Sequence, residues 1–218
     1  TLQQVSDYFQ KQNYSYEILV VSDGSKDNTA KIISNLKSPA LPSGRQISNL
    51  NLIDRKENKG KGYTVREGML AAKGEIRLFT DADNSTDISY FEKMRPLFEQ
   101  GYDVVISTRD PKDAAGASQA VSQPWHKRLM GNLGNLYIQI MAVPGIWDTQ
   151  NGFKAFSAEA AEKIFSITKI DRWAFDVEAL VLARKFGYKI GIIPIHWIND
   201  PRSHVKISGY FKVLFDVL

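Results

Sequence analysis

The sequence predicts an α/β fold, a mostly parallel sheet flanked by helices. Three observations carry that expectation. Short apolar runs of strand length alternate with segments of helical periodicity from Glu17 to Ile106. The runs are apolar at consecutive positions, the pattern of strands covered on both faces. Three successive runs end in polar turns, where open α/β sheets bind ligands.

Leu2, Val5 and Phe9 share one face of an opening helix. Glu17 to Val21 reads as a strand ending in Ser22-Asp23-Gly24-Ser25, and Asp27 or Asn28 caps a helix carrying Ile32, Ile33 and Leu36. A polar loop with Pro39, Pro42 and Gly44 precedes a strand from Leu50 to Asp54. Asn58-Lys59-Gly60-Lys61-Gly62 then leads into a helix reaching Met69 and Leu70. Ile76 to Thr80 and Val104 to Ile106 read as strands around a helix from Phe91 to Phe98. The Ala-, Gly-, Ser- and Asp-rich stretch from Asp110 to Gln123 reads as a mobile loop. Helices are expected over Trp125–Val143, Glu159–Phe165, Phe175–Phe186 and Ser208–Leu218, with a strand over Ile190–Trp197. No repeat or linker divides the chain, so residues 1–218 read as one domain. A sheet of this kind normally begins with a strand, and the opening helix leads us to expect a piece of a longer protein.

The 218 residues can bury a sizeable core. With 43% hydrophobic and 24% charged residues, the composition is that of a globular protein. No apolar run is long enough to span a bilayer, and the opening residues do not read as a signal peptide. The absence of cysteine excludes disulfides, thiolate metal sites and a thiol nucleophile. The net charge of +4 suits phosphorylated substrates or an anionic lipid surface. Its basic residues are scattered, which argues against nucleic acid as a partner.

Asp81-Ala82-Asp83 leaves a strand end with two carboxylates at i and i+2. Two such groups repel unless a cation lies between them, and hard oxygen ligands suit Mg2+ or Mn2+ holding substrate phosphates. The same residues also suit a solvated turn that caps the next helix. Asp23 sits where a carboxylate can accept from a nucleotide base edge or a ribose hydroxyl, and Gly24 permits close backbone approach; an ordinary turn fits as well. Lys59 and Lys61 among glycines at a helix N-terminus make an anion site, without the spacing of a P-loop.

These turns, with Asp148-Thr149-Gln150-Asn151-Gly152-Phe153-Lys154 and Arg172-Trp173-Ala174-Phe175-Asp176-Val177-Glu178, carry a resemblance. From about Tyr16 to Val205 the chain resembles the family 2 inverting glycosyltransferases of GT-A (Rossmann-like) fold. Within them it looks most like the dolichyl- or polyprenyl-phosphate sugar synthases, particularly the dolichyl-phosphate β-glucosyltransferase branch. The resemblance implies transfer of a hexose from a nucleotide sugar to a polyprenyl or dolichyl phosphate at the cytoplasmic face of a membrane. UDP-glucose is the favoured donor and GDP-mannose the alternative.

It also implies roles. Asp23, with Gly24 and Ser25, would contact the donor base; Asp81 would lie by the ribose and diphosphate; Asp83 would bind the metal. Asp148, Gln150 and Asp176 would line the sugar and acceptor pocket, with Asp176 the first choice of base and Glu178 the second. Lys61, Arg109, Lys127 and the Arg202, Ser203, His204 and Lys206 loop are the candidate phosphate contacts. Ser85 stands where mannosyl relatives often carry a glutamine ligand, which favours a glucosyl donor. The family's first strand, which helps hold the nucleotide base, is missing. The Trp125–Val143 helix is read as core packing combined with peripheral membrane contact. A family 2 transferase extending a glycan, a nucleotidyltransferase and a non-catalytic nucleotide-binding module are the rival readings.

Overall fold

The computed structural model describes residues 1–37, 46–119 and 134–198. The helix α1 (Leu2–Phe9) leads to β1 (Ile18–Asp23), α2 (Thr29–Lys37), β2 (Leu50–Arg55), α3 (Lys61–Ala71) and β3 (Ile76–Thr80). A 3-10 turn at Ile88–Tyr90 runs into α4 (Phe91–Glu99), followed by β4 (Val104–Thr108) and the two-residue β5 (Ser118–Gln119). The described helical residues 134–141 form α5. Then come β6 (Phe153–Ser157), α6 (Ala158–Phe165), α7 (Phe175–Lys185), β7 (Ile190–Pro194) and β8 (His196–Trp197). Asp27, just before α2, accepts the N–H of Thr29, the first residue of that helix, at 3.0 Å.

The strands make three ladders. β1 and β2 pair in parallel with Ile18 opposite Leu50. β3, β6, β4 and β7 lie in that order. β6 runs antiparallel to both neighbours, and β4 pairs in parallel with β7. β5 and β8 pair in parallel at the rim.

Two features correct the sequence reading. Phe153–Ser157 was not expected to be a strand, yet it is the inserted antiparallel member of the sheet. Five residues with a lysine among them give no clean strand pattern, and Ser157 already serves as the N-cap of α6. The single late strand is also split at Ile195 into β7 and β8. Pro39, Pro42, Gly44, the Ala120–Gln123 and Trp125–Leu133 stretches and the Ser208–Leu218 helix lie outside the described residues.

Alternation along the strands divides the core. Val104, Ile106 and Phe156 point to one face, where Met69 of α3, Ile138 of α5, Ile164 of α6 and Leu180 of α7 pack. Val105, Phe153 and Ala155 point to the other, against Val5 of α1, Ile33 of α2 and Phe91 and Met94 of α4. Burial on both faces is the reason that these strands are apolar at consecutive positions.

β1 and β3 both pack against α3 but share no ladder. Among the described residues each keeps one edge without a strand partner. Every residue of β4 is buried, whereas most of β1 and β3 remains partly exposed.

Candidate functional site

The loop after β2 is fastened across the end of β1 by Asp23. Its Oδ1 accepts the N–H of Lys59 at 2.8 Å and the Arg55 guanidinium at 2.5 Å, and its Oδ2 accepts the N–H of Gly60 at 2.9 Å. Arg55 also bonds Glu67 and Thr64 of α3. Burial raises the Asp23 pKa, but the Lys59 N–H, Arg55 and the Gly60 N–H outweigh it and leave the carboxyl below its ordinary value. A carboxylate has about four acceptor positions, so three are spent inside the protein. Asp23 therefore braces the loop first, with a single position left for a ligand. Gly24, at φ 74°, and exposed Ser25 complete that turn.

The brace places α3. Gly60 sits at φ 105°, and a Cβ there would run into the carbonyl of Asp171, so only glycine lets the helix start so close to the next turn. Lys61, the first residue of α3, then reaches the end of β3, with Nζ 2.7 Å from Asp81 Oδ1. Its ammonium also lies over Trp173 and Phe175, 5.4 and 5.9 Å from the ring centroids. Burial lowers the Lys61 pKa, but the charges of Asp81, Asp176 and Asp83 outweigh it and keep the ammonium charged.

Asp81 is held close to β6, its N–H donating to Gly152 O at 3.1 Å. A Cβ on Gly152 would occupy the place of the Asp81 carboxylate. Asp83 Oδ1 accepts the N–H of Ser85 at 2.9 Å, and Asn84 between them adopts a positive φ of 60°. The turn therefore projects two carboxylates, one paired with Lys61 and one exposed.

A divalent ion fits this donor set in two respects. The ligands are hard oxygens, and the buried Ser85 hydroxyl beside Asp83 has no partner among the described residues. Among the described residues no three acidic or histidine side chains converge, so Asp81 and Asp83 would hold Mg2+ or Mn2+ with substrate phosphates completing the shell.

At the end of β4, Arg109 grips Asp148 with Nε at 2.9 Å, an Nη at 2.7 Å and its backbone N–H at 2.7 Å. Burial opposes ionisation of Asp148, but Arg109 overcomes it and holds the carboxyl below its ordinary value. Asp113 fixes the same turn by accepting the N–H groups of Trp147 and Asp148 at 2.7 and 2.8 Å, and the Thr108 hydroxyl at 2.8 Å. The expected mobile loop is thus tied down over its described part. Nothing in the residue pattern signals this role for Asp113, because two of its partners are backbone N–H groups remote along the chain.

Asp176 lies buried in the first turn of α7, with Oδ1 2.6 Å from Lys154 Nζ. Lys154 lies on β6 and also donates to Asn151 O. Burial pushes the Asp176 pKa up, and the attraction of Lys154 and Lys61 does not cancel it. Lys154 ends the Asp148–Lys154 motif that carries the resemblance, which implies no role for it. A lysine between Phe153 and Ala155 in a strand-length run was the available signal.

Lys61 ties Asp81 to the first turn of α7, its ammonium lying over Phe175 next to Asp176, and the Arg109–Asp148 pair stands at the same end of the sheet, since β3 and β4 both run antiparallel to β6. Gln150 sits half-buried in the turn after Asp148. Glu178 holds a turn: its two oxygens accept the N–H groups of Lys169 and Ile170, each at 2.9 Å. Arg109 is paired with Asp148 in this structure. Lys127, Arg202, Ser203, His204 and Lys206 lie outside the described residues.

The fold has solved counterparts. Glucosyl-3-phosphoglycerate synthase from Mycobacterium tuberculosis, in complex with Mn2+, UDP-glucose and phosphoglyceric acid, superposes with a TM-score of 0.65 at 15% identity, over 100% of this chain and 72% of that one. Mannosyl-3-phosphoglycerate synthase from Rubrobacter xylanophilus gives 0.64 at 16% identity, over 99% and 65%. The architecture is therefore that of the GT-A fold. In sequence, a dolichyl-phosphate beta-glucosyltransferase of Trichomonas vaginalis is 33% identical over 215 residues, 96% of this chain and 63% of that protein. Its counterpart in Dictyostelium discoideum is 34% identical over 210 residues, 94% and 62%, and that of Homo sapiens 34% over 191 residues, 84% and 56%. The chain thus spans less than two thirds of the length of these relatives. Residues 1–165 match the family described as Glycosyl transferase family 2, and to that family the chain belongs.

Proposed function

We propose that this chain is the catalytic part of an inverting hexosyltransferase that moves glucose from UDP-glucose to a dolichyl or polyprenyl phosphate. The observation that carries the reading is the convergence of Lys61, Asp81, Asp176 and the Arg109–Asp148 pair at the strand ends of a family 2 chain. The dolichyl-phosphate beta-glucosyltransferases among its relatives supply the acceptor class, and the UDP-glucose complex of the M. tuberculosis enzyme supports the donor.

In the proposed reaction an acceptor phosphate oxygen attacks C1 of the sugar. The bond from C1 to the donor diphosphate breaks, and its electron pair leaves on the β-phosphate oxygen. A phosphate acceptor is already an anion, so it needs orientation more than deprotonation. Buried Asp176 and the Arg109–Asp148 pair supply fixed walls for that orientation. A metal held by Asp81 and Asp83 would stabilise the leaving diphosphate. Leu136, Ile140 and Met141 are exposed on α5 and are the proposed membrane-facing side chains. No helix among the described residues is long and apolar enough to cross a membrane. The proposed contact lies at the cytoplasmic face and is peripheral, or accompanied by an anchor in segments outside this chain.

The test is to incubate the full-length protein with UDP-glucose or GDP-mannose and a short polyprenyl phosphate, with and without Mn2+. A glucosyl lipid that requires metal and is lost in Asp83→Ala is expected. Transfer to a glycan in place of the lipid, or unchanged turnover in the variant, overturns the acceptor or the metal assignment respectively.

A further inference from the structure

The cleft already contains a cation. Lys61 Nζ lies 2.7 Å from Asp81 Oδ1, at a carboxylate that the proposed metal would share. Its root is fixed: Gly60 N–H is bonded to Asp23 and Tyr63 N–H to the carbonyl of Asp171, so the first turn of α3 does not follow the side chain. Its tip is less confined. The side chain is a quarter exposed, at 25%, whereas the other cleft lysine, Lys154, is at 0%. The Trp173 and Phe175 rings form an apolar, π-rich wall along which an ammonium can slide.

We propose that Lys61 is the standing counter-ion of Asp81 in the donor-free protein, a positioning residue that hinders a divalent metal from binding alone and yields when a nucleoside diphosphate arrives with it. The nucleoside diphosphate in this statement rests on the function proposed above. Charge balance is the reason. Metal entering alone adds two positive charges beside an ammonium and takes away that ammonium's anion. Metal entering with a sugar nucleotide brings a negative charge on each of two phosphates, so the net charge does not rise. Lys61 then exchanges a carboxylate for a phosphate oxygen. The metal and donor sites are coupled by one side chain that can serve only one anion at a time.

Mn2+ binding to the full-length protein, followed by electron paramagnetic resonance without any sugar donor, tests this. In Lys61→Gln the affinity for Mn2+ alone should rise on the order of tenfold, because the competing charge is gone, while Lys61→Arg should stay near wild type. With Mn2+ saturating, Lys61→Gln should bind UDP more weakly, on the order of tenfold. An Mn2+ affinity in Lys61→Gln equal to or weaker than wild type overturns the proposal. The wild-type protein gives a second reading that needs no stable glutamine variant. After reductive methylation with 13C-formaldehyde, the Lys61 resonance, assigned by its loss in Lys61→Arg, should move with Mg2+ and UDP together and stay in place with Mg2+ alone. Equal movement with Mg2+ alone overturns it. Neither readout uses sugar transfer, so failure of UDP-glucose turnover alongside these results would sink the proposed reaction and leave the counter-ion role standing.

Discussion

Lys154 and Asp176 form an ion pair 2.6 Å long in which both side chains are closed off from solvent, at 0% and 4% exposure. It joins β6 to the first turn of α7 and so fixes the two elements that wall the cleft. Removing one charge leaves the other buried and unpaired, which typically costs about 3–5 kcal/mol. Lys154→Met should therefore lower stability by about that much, and Lys154→Met with Asp176→Leu should recover most of it. Urea denaturation of the two variants and the double variant measures both outcomes, and the double variant should remain inactive.

The Arg109–Asp148 grip sets a pH dependence. Asp148 has a folded-state pKa below its ordinary value of 3.8. Its contribution to stability is therefore fully present above that value and is lost as pH falls through the lowered one. In Asp148→Asn the charge pair is gone, so stability near neutrality should drop by about 3–5 kcal/mol. The acid limb of a plot of Tm against pH should also flatten below about pH 4. A parallel limb in both proteins would show that other carboxylates govern acid unfolding.

Gly152 is expected to tolerate no side chain. A methyl group there displaces the Asp81 carboxylate. Overpacking of this kind costs about 1–3 kcal/mol. The larger effect falls on function: Gly152→Ala should need more Mn2+ for half-maximal turnover, with a loss of activity on the order of a hundredfold. A metal titration of turnover, alongside a thermal melt, separates the two effects.

Glu178 and Asp176 should part company in kinetics. Glu178 spends both oxygens on the N–H groups of Lys169 and Ile170. Glu178→Gln retains one acceptor oxygen, so it should lose about 1–2 kcal/mol of stability and keep its kcat. Asp176→Asn should lose most of its kcat while remaining folded near neutrality. Equal losses in the two variants would return Glu178 to the chemistry.

The sequence was most informative where function and backbone share a short segment. Asp23, Lys61, Asp81 and Asp148 stand in compact turns at strand ends, and their residue types announce charge at places where open sheets bind ligands. The turn-holding roles of Asp113 and Glu178 were hidden because each acts mainly on backbone N–H groups, and a backbone donor leaves no trace in residue type. Lys154 was obscured by its strand, which the pattern missed. An antiparallel insertion between parallel strands obeys no local signal, since its neighbours β3 and β4 lie far away along the chain. Arg109 was legible as a cation, but whether it meets a phosphate or a carboxylate is decided by the turn that Asp113 holds.

The edges of β1 and β3 that lack strand partners among the described residues bear on how the chain behaves in bulk. Along each, no strand among the described residues pairs with the N–H and C=O groups, and partly exposed apolar residues flank them. Such rows are templates for edge-to-edge growth, and neither strand carries a proline to stop it. The chain is expected to self-associate through such edges as concentration rises. Its colloidal stability would then be a property of whatever polypeptide shields those two edges.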